Sequence, residues 1–201
     1  AIYLGRGATN LADPAACAAA VLAHRPDVVI NAAAYTAVDR AESEPDLAHI
    51  INANEPGAMA RACADLGIPF LHISTDYVFD GSGTVPWQVT DPIAPLGAYG
   101  RTKAAGEQAV RDAGGTHAIL RTSWVISAHG NNFVKTMLRL SENRDALSVV
   151  DDQIGGPTPA GGIAGALLTV ARAMVAGQGG GTYHYAGVPA ASWACLARET
   201  F

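Results

Sequence analysis

The sequence has few cysteines, and nothing in their spacing suggests a joint role. Cys17, Cys63 and Cys195 are odd in number, far apart and without a Cys-x-x-Cys pair, so neither a disulfide framework nor a zinc site is predicted. Thiols of this kind fit a reducing compartment, and we expect the protein in the cytoplasm. We also expect no metal site, because Asp151 and Asp152 are neighbours that point in opposite directions at a predicted strand end and have no His or Cys partners nearby.

Long apolar runs and basic runs are missing as well. No stretch of about 18 apolar residues is present, so no membrane-spanning helix is predicted, and the first residues lack the pattern of a secretory signal. The 201 residues carry a net charge of -5 without any basic cluster, which argues against a nucleic-acid surface. A phosphorylated small molecule stays open as a ligand, since it needs only a few local cations.

Helices and strands alternate along the chain. Asp13 as N-cap and Pro14 at the first helical position predict a helix to His24, and a strand follows from Asp27. This order is typical of a parallel sheet with right-handed crossovers, so the predicted fold class is α/β with a doubly wound parallel sheet. The predicted strands cover residues 1–4, 27–30, 68–73, 117–122, 147–150 and 182–185, and the predicted helices cover residues 14–24, 44–66, 99–111, 132–143 and 160–175.

Two segments are predicted to depart from regular structure. Pro56-Gly57 falls inside the helix predicted for residues 44–66 and indicates a kink or a split there, because proline removes a backbone donor. Residues 80–97 are rich in Gly, Pro and Asp and predict a surface loop. That loop is long enough to be functional rather than a mere connection.

The stretch Tyr99-Gly-Arg-Thr-Lys103 carries the clearest chemistry. Tyr99 and Lys103 are four residues apart, so a helix places them on one face, one turn apart. An ammonium beside a phenol favours the phenolate and lowers its pKa, which makes Tyr99 a candidate general acid. Ser74 and Thr75 follow the apolar run 68–73 and emerge at the carboxyl edge of the sheet, where a hydroxyl could hold a carbonyl oxygen.

A series of motifs then points to a family. In chain order they are Asn31 to Glu42, His72 to Phe79, Arg121 to Trp124, Gly130 to Phe133, Val149 to Gln153 and Gly156 to Thr158. The tyrosine and lysine pair, Ser74-Thr75 and the predicted strand with its small residues, Asp27 to Ala34, together resemble the extended short-chain dehydrogenase/reductase superfamily. Within that superfamily, the series of motifs resembles the dTDP-4-dehydrorhamnose reductases over nearly the whole chain. The resemblance implies a Rossmann-like fold and a nucleotide-sugar substrate.

The resemblance also implies residue roles. Tyr99 would protonate the C4 oxygen of dTDP-4-dehydro-L-rhamnose while the nicotinamide delivers hydride to C4. Lys103 would lower the pKa of the tyrosine and hold the nicotinamide ribose, and Thr75 would hydrogen-bond the carbonyl. The implied catalytic residues are therefore Thr75, Tyr99 and Lys103. The implied cofactor-binding residues are Arg6, Asn10, Leu11, Ala32, Ala33, Ala34, Tyr35, Thr36, Ser74, Tyr99 and Lys103, and the implied substrate-binding residues are Thr75, Asp76, Tyr99 and Trp124.

Three of these roles have competing interpretations. Trp124 ends an apolar strand and is equally well explained as a core residue. Gly5-Arg6 falls where an arginine favours the 2'-phosphate of NADPH over NADH, although it could also be a turn with a solvated arginine. Asn10-Leu11 departs from relatives, which place an aspartate there. Outside the implied site, His72 is interpreted as a core histidine, Glu42 as a solvated residue before a helix and Asn132 as a helix cap.

The resemblance makes one more absence informative. Dinucleotide-binding domains begin with a strand, a glycine-rich turn and a helix whose N-terminus holds the pyrophosphate. Nothing before Asp13 supplies these elements. We therefore expect residues 1–150 to form an NAD(P)-binding Rossmann-like domain without its first strand and glycine-rich turn, and residues 151–201 to form the start of a small, incomplete substrate-binding part.

Two other functions stay open. One is a non-catalytic regulatory subunit of the same fold, as in the β subunit of methionine adenosyltransferase. The presence of Thr75, Tyr99 and Lys103 argues against it, because a binding module need not retain a proton donor. The other is a different nucleotide-sugar reductase or epimerase. The expected cofactor is NADPH or NADH, and the expected state is a monomer or a homodimer without nucleic-acid or membrane partners.

Overall fold

The computed structural model describes all 201 residues and divides them into two compact units. Unit 1 comprises residues Ala1–Arg121 and Leu167–His184, and unit 2 comprises Thr122–Ala166 and Tyr185–Phe201. The boundary follows Arg121 rather than residue 150. A single cut cannot separate the units, because the chain returns to unit 1 to add the last strand of its sheet.

Strands and helices alternate as predicted, which confirms the α/β class. The strands are β1 (Val29–Asn31), β2 (Phe70–Thr75), β3 (His117–Thr122), β4 (Val125–Ile126), β5 (Ile154–Gly155), β6 (Thr158–Pro159), β7 (Gly181–His184) and β8 (Ala191–Ser192). The helices are α1 (Pro14–His24), α2 (Val38–Ala41), α3 (Pro45–His49), α4 (Glu55–Leu66), α5 (Ala98–Asp112), α6 (Phe133–Ser141), α7 (Ala160–Val175) and α8 (Trp193–Thr200). No helix is long and apolar enough to cross a membrane.

Unit 1 is organised around one four-stranded sheet in the order β1-β2-β3-β7. β1 pairs parallel with β2, and β3 pairs parallel with β7. Its main core holds Val21 of α1, Cys63 of α4, Val110 of α5 and two strand residues, Phe70 and Ile119. Each fully buried side chain of the Phe or Ile type contributes about 1.5–3 kcal/mol. This core holds α4 and α5 against the sheet and so fixes the elements that carry the site.

The helix predicted for residues 44–66 forms as a continuous helical segment with a π-helical turn inside it. α3 runs directly into a π-helical turn, Ile50–Asn54, and then into α4. Pro56 lies two residues beyond that turn and has no N–H to offer the carbonyl of Asn52. A widened turn accommodates such a proline without ending the helix. The predicted irregularity is therefore present, as a π turn.

Two predicted strands do not form. Residues 1–4 have no regular structure, and the side chains of Ile2, Tyr3 and Leu4 are exposed. Residues 147–150 are likewise without a strand. A strand is stable only when a neighbour takes up its backbone hydrogen bonds, and an apolar run alone does not supply that neighbour.

Unit 2 contains two small sheets and two capped helices. β4 pairs parallel with β6, and β5 pairs antiparallel with β8. The Asn132 side chain accepts from the backbone N–H of Lys135 at the start of α6, which confirms the predicted cap. Ser192 caps α8 in the same way and also donates to Asp151. Asp151 thus anchors a loop within this unit.

Candidate active site

Tyr99 and Lys103 lie in the first half of α5, as the sequence predicted. The start of that helix is capped by Glu42, whose Oε1 accepts from the backbone N–H of Ala98 at 2.5 Å. A carboxylate at a helix N-terminus is favoured by the free N–H groups and by the helix dipole. Glu42 therefore has a positioning role that its exposed place in the sequence pattern did not reveal.

Two glycines let α5 approach its neighbours closely. A Cβ on Gly100 would lie 2.2 Å from the backbone oxygen of Tyr77, and a Cβ on Gly106 would lie 2.0 Å from that of Asn52. Real side chains do not tolerate such distances, so only glycine fits. α5 is thereby pressed against the 3-10 turn Asp76–Val78 on one side and the π turn on the other.

Thr75 and Asp76 lie beside Tyr99 at the end of β2. The Thr75 hydroxyl donates to Asp76 Oδ1 at 3.0 Å and is also hydrogen-bonded to the Tyr99 side chain. The ring of Tyr77 meets the ring of Tyr99 edge-on, with centroids 5.5 Å apart. The structure thus brings the hydroxyl and the phenol of the expected catalytic set together.

The pKa of Tyr99 does not move in the expected direction. Burial raises it to about 12, the Thr75 hydroxyl lowers it, and the charge of Asp76 raises it further. In this structure the phenol therefore stays protonated at neutral pH and can act as a proton donor. Lys103 is not among the main causes of this shift, and its ammonium bonds to His72 and Ile73.

The Lys103 ammonium is buried and held by two acceptors at the end of β2. Nζ donates to the carbonyl of Ile73 at 2.7 Å and lies 3.1 Å from Nε2 of His72. Only 2% of Lys103 is exposed. Burial lowers its pKa from 10.5 to about 8, against the opposing charges of Glu107 and Glu55. An ammonium has three N–H donors, so one remains for a further partner.

His72 is almost completely buried, as expected, but it is not fully hydrogen-bonded. Burial and the neighbouring Lys103 charge lower its pKa well below the ordinary value, so the ring is neutral. A charged Lys103 can only donate, and Nε2 must then accept, which leaves the ring proton on Nδ1. Nδ1 has no hydrogen-bond partner. A buried donor without a partner costs on the order of 1–3 kcal/mol.

A second buried group, Glu55, is close enough to Lys103 for their charges to interact. Asn31 is the register partner of His72 on the neighbouring strand, and its Nδ2 donates to Oε2 of Glu55 at 3.0 Å. Burial raises the pKa of Glu55 to about 7, against the lowering effects of Asn31, Lys103 and the Cys17 thiol. Glu55 therefore keeps its proton to a higher pH than a free glutamate does.

The second half of α5 is tied down by a buried ion pair. Both carboxylate oxygens of Glu107 accept from Arg121 of β3, at 2.8 and 2.7 Å, and Oε2 also accepts from Arg111 at 2.9 Å. The Arg121 guanidinium in turn lies 5.1 Å from the ring centre of Phe79, which stacks on Trp87 of the long loop. This network links α5, the sheet and the loop that follows the candidate site.

The residues expected beside the cofactor follow β1. Ala32 and Ala33 are exposed and Ala34 is half-buried, so a flat ligand could lie against this backbone. The segment is held by Asn52, whose side chain accepts from the N–H of Tyr35 and donates to its carbonyl. The Tyr35 hydroxyl donates to Glu44, and Thr36 is exposed.

Ser74 and the N-terminal residues are placed differently. Ser74 is buried, and its hydroxyl lowers the pKa of Glu107, so it faces the ion pair. Arg6 and Asn10 are exposed, and Leu11 is half-buried. Asn10 Oδ1 accepts from the N–H of Ala12 in the turn before α1. The structure therefore brings Arg6, Asn10 and Leu11 into no contact with Thr75, Tyr99 or Lys103.

Trp124 lies in unit 2, where it packs in an aromatic cluster. Its indole stacks on Trp193 with centroids 3.5 Å apart, and Phe133 packs against Trp193. The backbone of Gly155 also lies directly against the indole, and Trp124 adopts a positive φ of 46°. These contacts are those of a packing residue, and a substrate role for Trp124 stays a prediction.

Comparison with known proteins settles the family. The family model described as the RmlD substrate binding domain matches residues 1–201. The chain belongs to this RmlD family. A dTDP-4-dehydrorhamnose reductase of Sinorhizobium fredii is 47% identical to it over 203 residues, which cover 100% of this chain and 69% of that protein. The chain spans 50 to 69% of the length of the curated relatives that it matches.

Solved structures of the RmlD family agree with this fold. The dTDP-4-dehydrorhamnose reductase of Clostridium acetobutylicum has a TM-score of 0.93 and 38% identity and covers 100% of this chain and 70% of its own. The reductase of Bacillus anthracis, solved in complex with NADP, has a TM-score of 0.92 and 37% identity and covers 98% and 70%. The fold resemblance inferred from the motifs is confirmed.

Sequence reasoning missed three residues around the site of this RmlD family chain. Glu42 caps α5, His72 accepts from Lys103, and the buried Glu55 interacts with the charge of Lys103. Each makes its contact across a long stretch of sequence, so periodicity gave no signal. A histidine or glutamate within an otherwise apolar element is the one hint that the sequence offers.

Proposed function

We propose that the protein carrying this chain reduces the C4 keto group of dTDP-4-dehydro-L-rhamnose to give dTDP-L-rhamnose, with NADPH as the reductant. The observation that supports this most is the grouping of Thr75, Tyr99 and Lys103 around the end of β2 and the start of α5, in a chain 47% identical to a reductase of that name. The whole protein's activity is a proposal, since the chain spans only part of its relatives' length.

The chain's own residues would handle the proton. The Tyr99 phenol is protonated and would donate its proton to the C4 oxygen as that oxygen gains negative charge. The Thr75 hydroxyl would donate to the same oxygen in place of its present bond to Asp76. General acid catalysis of this kind contributes on the order of 10² to 10⁴ in rate. Bound NADPH would supply the hydride.

The cofactor side of the site is compatible with a dinucleotide. Lys103 has one N–H without a partner and would use it to hold a ribose hydroxyl, and the exposed backbone of Ala32 and Ala33 leaves room for a flat ring. Arg6 would favour the 2'-phosphate of NADPH. The relative from Bacillus anthracis was solved with NADP, which supports this cofactor.

The experiment is an assay of NADPH and NADH oxidation by the protein carrying this chain, with dTDP-4-dehydro-L-rhamnose and with a UDP-linked 4-keto sugar as the comparison. We expect turnover with the dTDP sugar and at least tenfold preference for NADPH. Turnover with the UDP sugar alone would indicate a different nucleotide-sugar enzyme. Cofactor binding without oxidation of either nicotinamide would overturn the reductase and favour a regulatory subunit.

Three finer points stay predictions. A cytoplasmic location follows from the cysteine usage, and a monomer or homodimer from the family. The third is the domain division, in which residues 1–150 would bind the cofactor and residues 151–201 would begin the substrate-binding part. Sedimentation of the purified protein with and without NADP⁺ would decide the oligomeric state.

A further inference from the structure

The catalytic lysine of the proposed reaction has an unusual partner. His72, Glu55, Ser74 and Thr122 each have a buried side-chain atom without a hydrogen-bond partner, and of these four residues His72 is hydrogen-bonded to the Lys103 ammonium. An apolar side chain in place of His72 would avoid the cost of the unpaired ring N–H but would take an acceptor away from the buried Lys103 ammonium. The contact between His72 and Lys103 is therefore the feature that calls for an explanation.

The two acceptors of Lys103 fix the orientation of its ammonium. Nζ of Lys103 lies 3.1 Å from Nε2 of His72 and 2.7 Å from the carbonyl oxygen of Ile73. Two fixed acceptors on consecutive residues of β2 fix two of the three N–H directions of the ammonium, and the tetrahedral geometry at nitrogen then fixes the third. A carbonyl alone would leave the ammonium free to rotate about one bond.

We propose that His72 is a positioning residue for Lys103: its neutral imidazole accepts from the ammonium through Nε2 and so aims the remaining N–H of Lys103 at the ribose hydroxyl of the bound cofactor. The inference rests on the proposed function for the identity of the ligand, but the aimed lysine is a property of this chain. On the neighbouring strand, Asn31 is the register partner of His72 and donates to Glu55.

The first test needs no turnover, because it observes the His72 ring and the Lys103 amine directly. Assignment is simple, since the chain has only two lysines, Lys103 and Lys135. Nitrogen NMR of the 201-residue chain should show His72 as the neutral tautomer protonated at Nδ1. The Lys103 amine protons should exchange with water much more slowly than those of the exposed Lys135, which serves as an internal control. A His72 ring protonated at Nε2 would overturn the proposal, since that nitrogen could then accept nothing.

Two variants separate positioning from packing. His72→Leu keeps the volume and removes both the acceptor and the orphan N–H, whereas His72→Gln keeps an acceptor near the place of Nε2. We expect His72→Leu to lose the slow exchange of the Lys103 protons, because one N–H of the buried ammonium then has no acceptor. His72→Gln should retain that slow exchange. If Lys103 behaves identically in the wild type and in His72→Leu, the proposal is wrong.

Cofactor binding and kinetics give the second readout. Titration with NADP⁺ should show affinity at least about tenfold weaker in His72→Leu and within about threefold of the wild type in His72→Gln. Misplacing a catalytic group by about 1 Å costs on the order of 10²-fold in rate. We therefore expect kcat to fall more in His72→Leu than in His72→Gln. Equal losses of NADP⁺ affinity and of kcat in the two variants would contradict a positioning role for His72. A wild type without reductase activity would refute the proposed function and leave the tautomer and exchange results to decide this inference.

Discussion

Two glutamates of unit 1 are completely buried, and they behave in opposite ways. Glu107 of α5 faces two arginines and its pKa is lowered, whereas Glu55 of α4 faces an amide and a thiol and its pKa is raised to about 7. Burial opposes ionisation in both, so the difference lies in the partners. The comparison teaches that pairing decides whether a buried carboxyl is ionised. Here the fully paired glutamate secures the helix, and the underpaired one lies near the candidate catalytic lysine.

Removing the charge of Glu107 should have the largest effect. Glu107→Gln leaves Arg121, which is 4% exposed, as a buried charge without a counter-ion, and the expected loss is about 3–5 kcal/mol in the free energy of unfolding. Urea denaturation followed by circular dichroism measures it. Glu142→Gln, at an exposed position, serves as the control and should change stability by less than about 0.5 kcal/mol. A loss below about 1 kcal/mol for Glu107→Gln would show that the pair is not what holds Arg121.

A double variant tests the reason for that loss. Glu107→Leu with Arg121→Met replaces both charged partners by apolar side chains of similar size, and such replacements of buried pairs are often neutral. We expect it to recover more than half of the stability that Glu107→Gln loses. If the double variant is instead less stable than Glu107→Gln, the network has a further role that pairing does not describe.

Glu55→Gln should have the opposite sign and depend on pH. The folded state raises the pKa of Glu55 from 4.5 to about 7, so between these values the unfolded state loses its proton first and wild-type stability falls as pH rises, by about 3 kcal/mol in total. Glutamine has no proton to lose. Glu55→Gln should therefore match the wild type near pH 4.5 and exceed its unfolding free energy by about 2–3 kcal/mol at pH 8. Identical pH dependence in both proteins would contradict the raised pKa.

Among the single substitutions of these buried glutamates and their partners, Arg111→Met should change the free energy of unfolding least. The Arg111 side chain is 32% exposed, and Glu107 keeps both bonds to Arg121 without it. Solvent weakens an ion pair at such a position, and the expected change is below about 1 kcal/mol. The same urea titration measures it. A loss as large as that of Glu107→Gln would mean that the two arginines act as one unit.

Local signals in the sequence were sufficient where the structure is local. Asp13 and Pro14 begin α1 as predicted, α7 covers the predicted residues 160–175, and the spacing of Tyr99 and Lys103 places both in α5. The two strands that failed, residues 1–4 and 147–150, depended on a partner that an apolar run does not specify. The unit boundary after Arg121 likewise depends on tertiary structure, because the chain returns through β7 to the sheet of unit 1.

The electrostatics of the site could not be predicted from spacing. Helical periodicity places a lysine one turn from a tyrosine, but the direction of the ammonium depends on His72, which is 31 residues away in the chain. The expected lowering of the Tyr99 pKa became a rise because Lys103 faces His72 and Ile73 while Asp76 and burial act on the phenol. The motifs were sufficient to propose the candidate site residues, whereas their protonation states required the packing.

The most direct test of the account is the rate of NADPH oxidation with dTDP-4-dehydro-L-rhamnose by the protein carrying Tyr99→Phe, compared with Tyr183→Phe. Tyr183 lies on β7 and is 39% exposed, so its variant controls for the loss of any one hydroxyl. The account predicts that Tyr99→Phe lowers kcat at least about 10²-fold, as expected for a lost general acid, while Tyr183→Phe stays within about twofold. Equal rates in the two variants would contradict the assignment of Tyr99 as the proton donor.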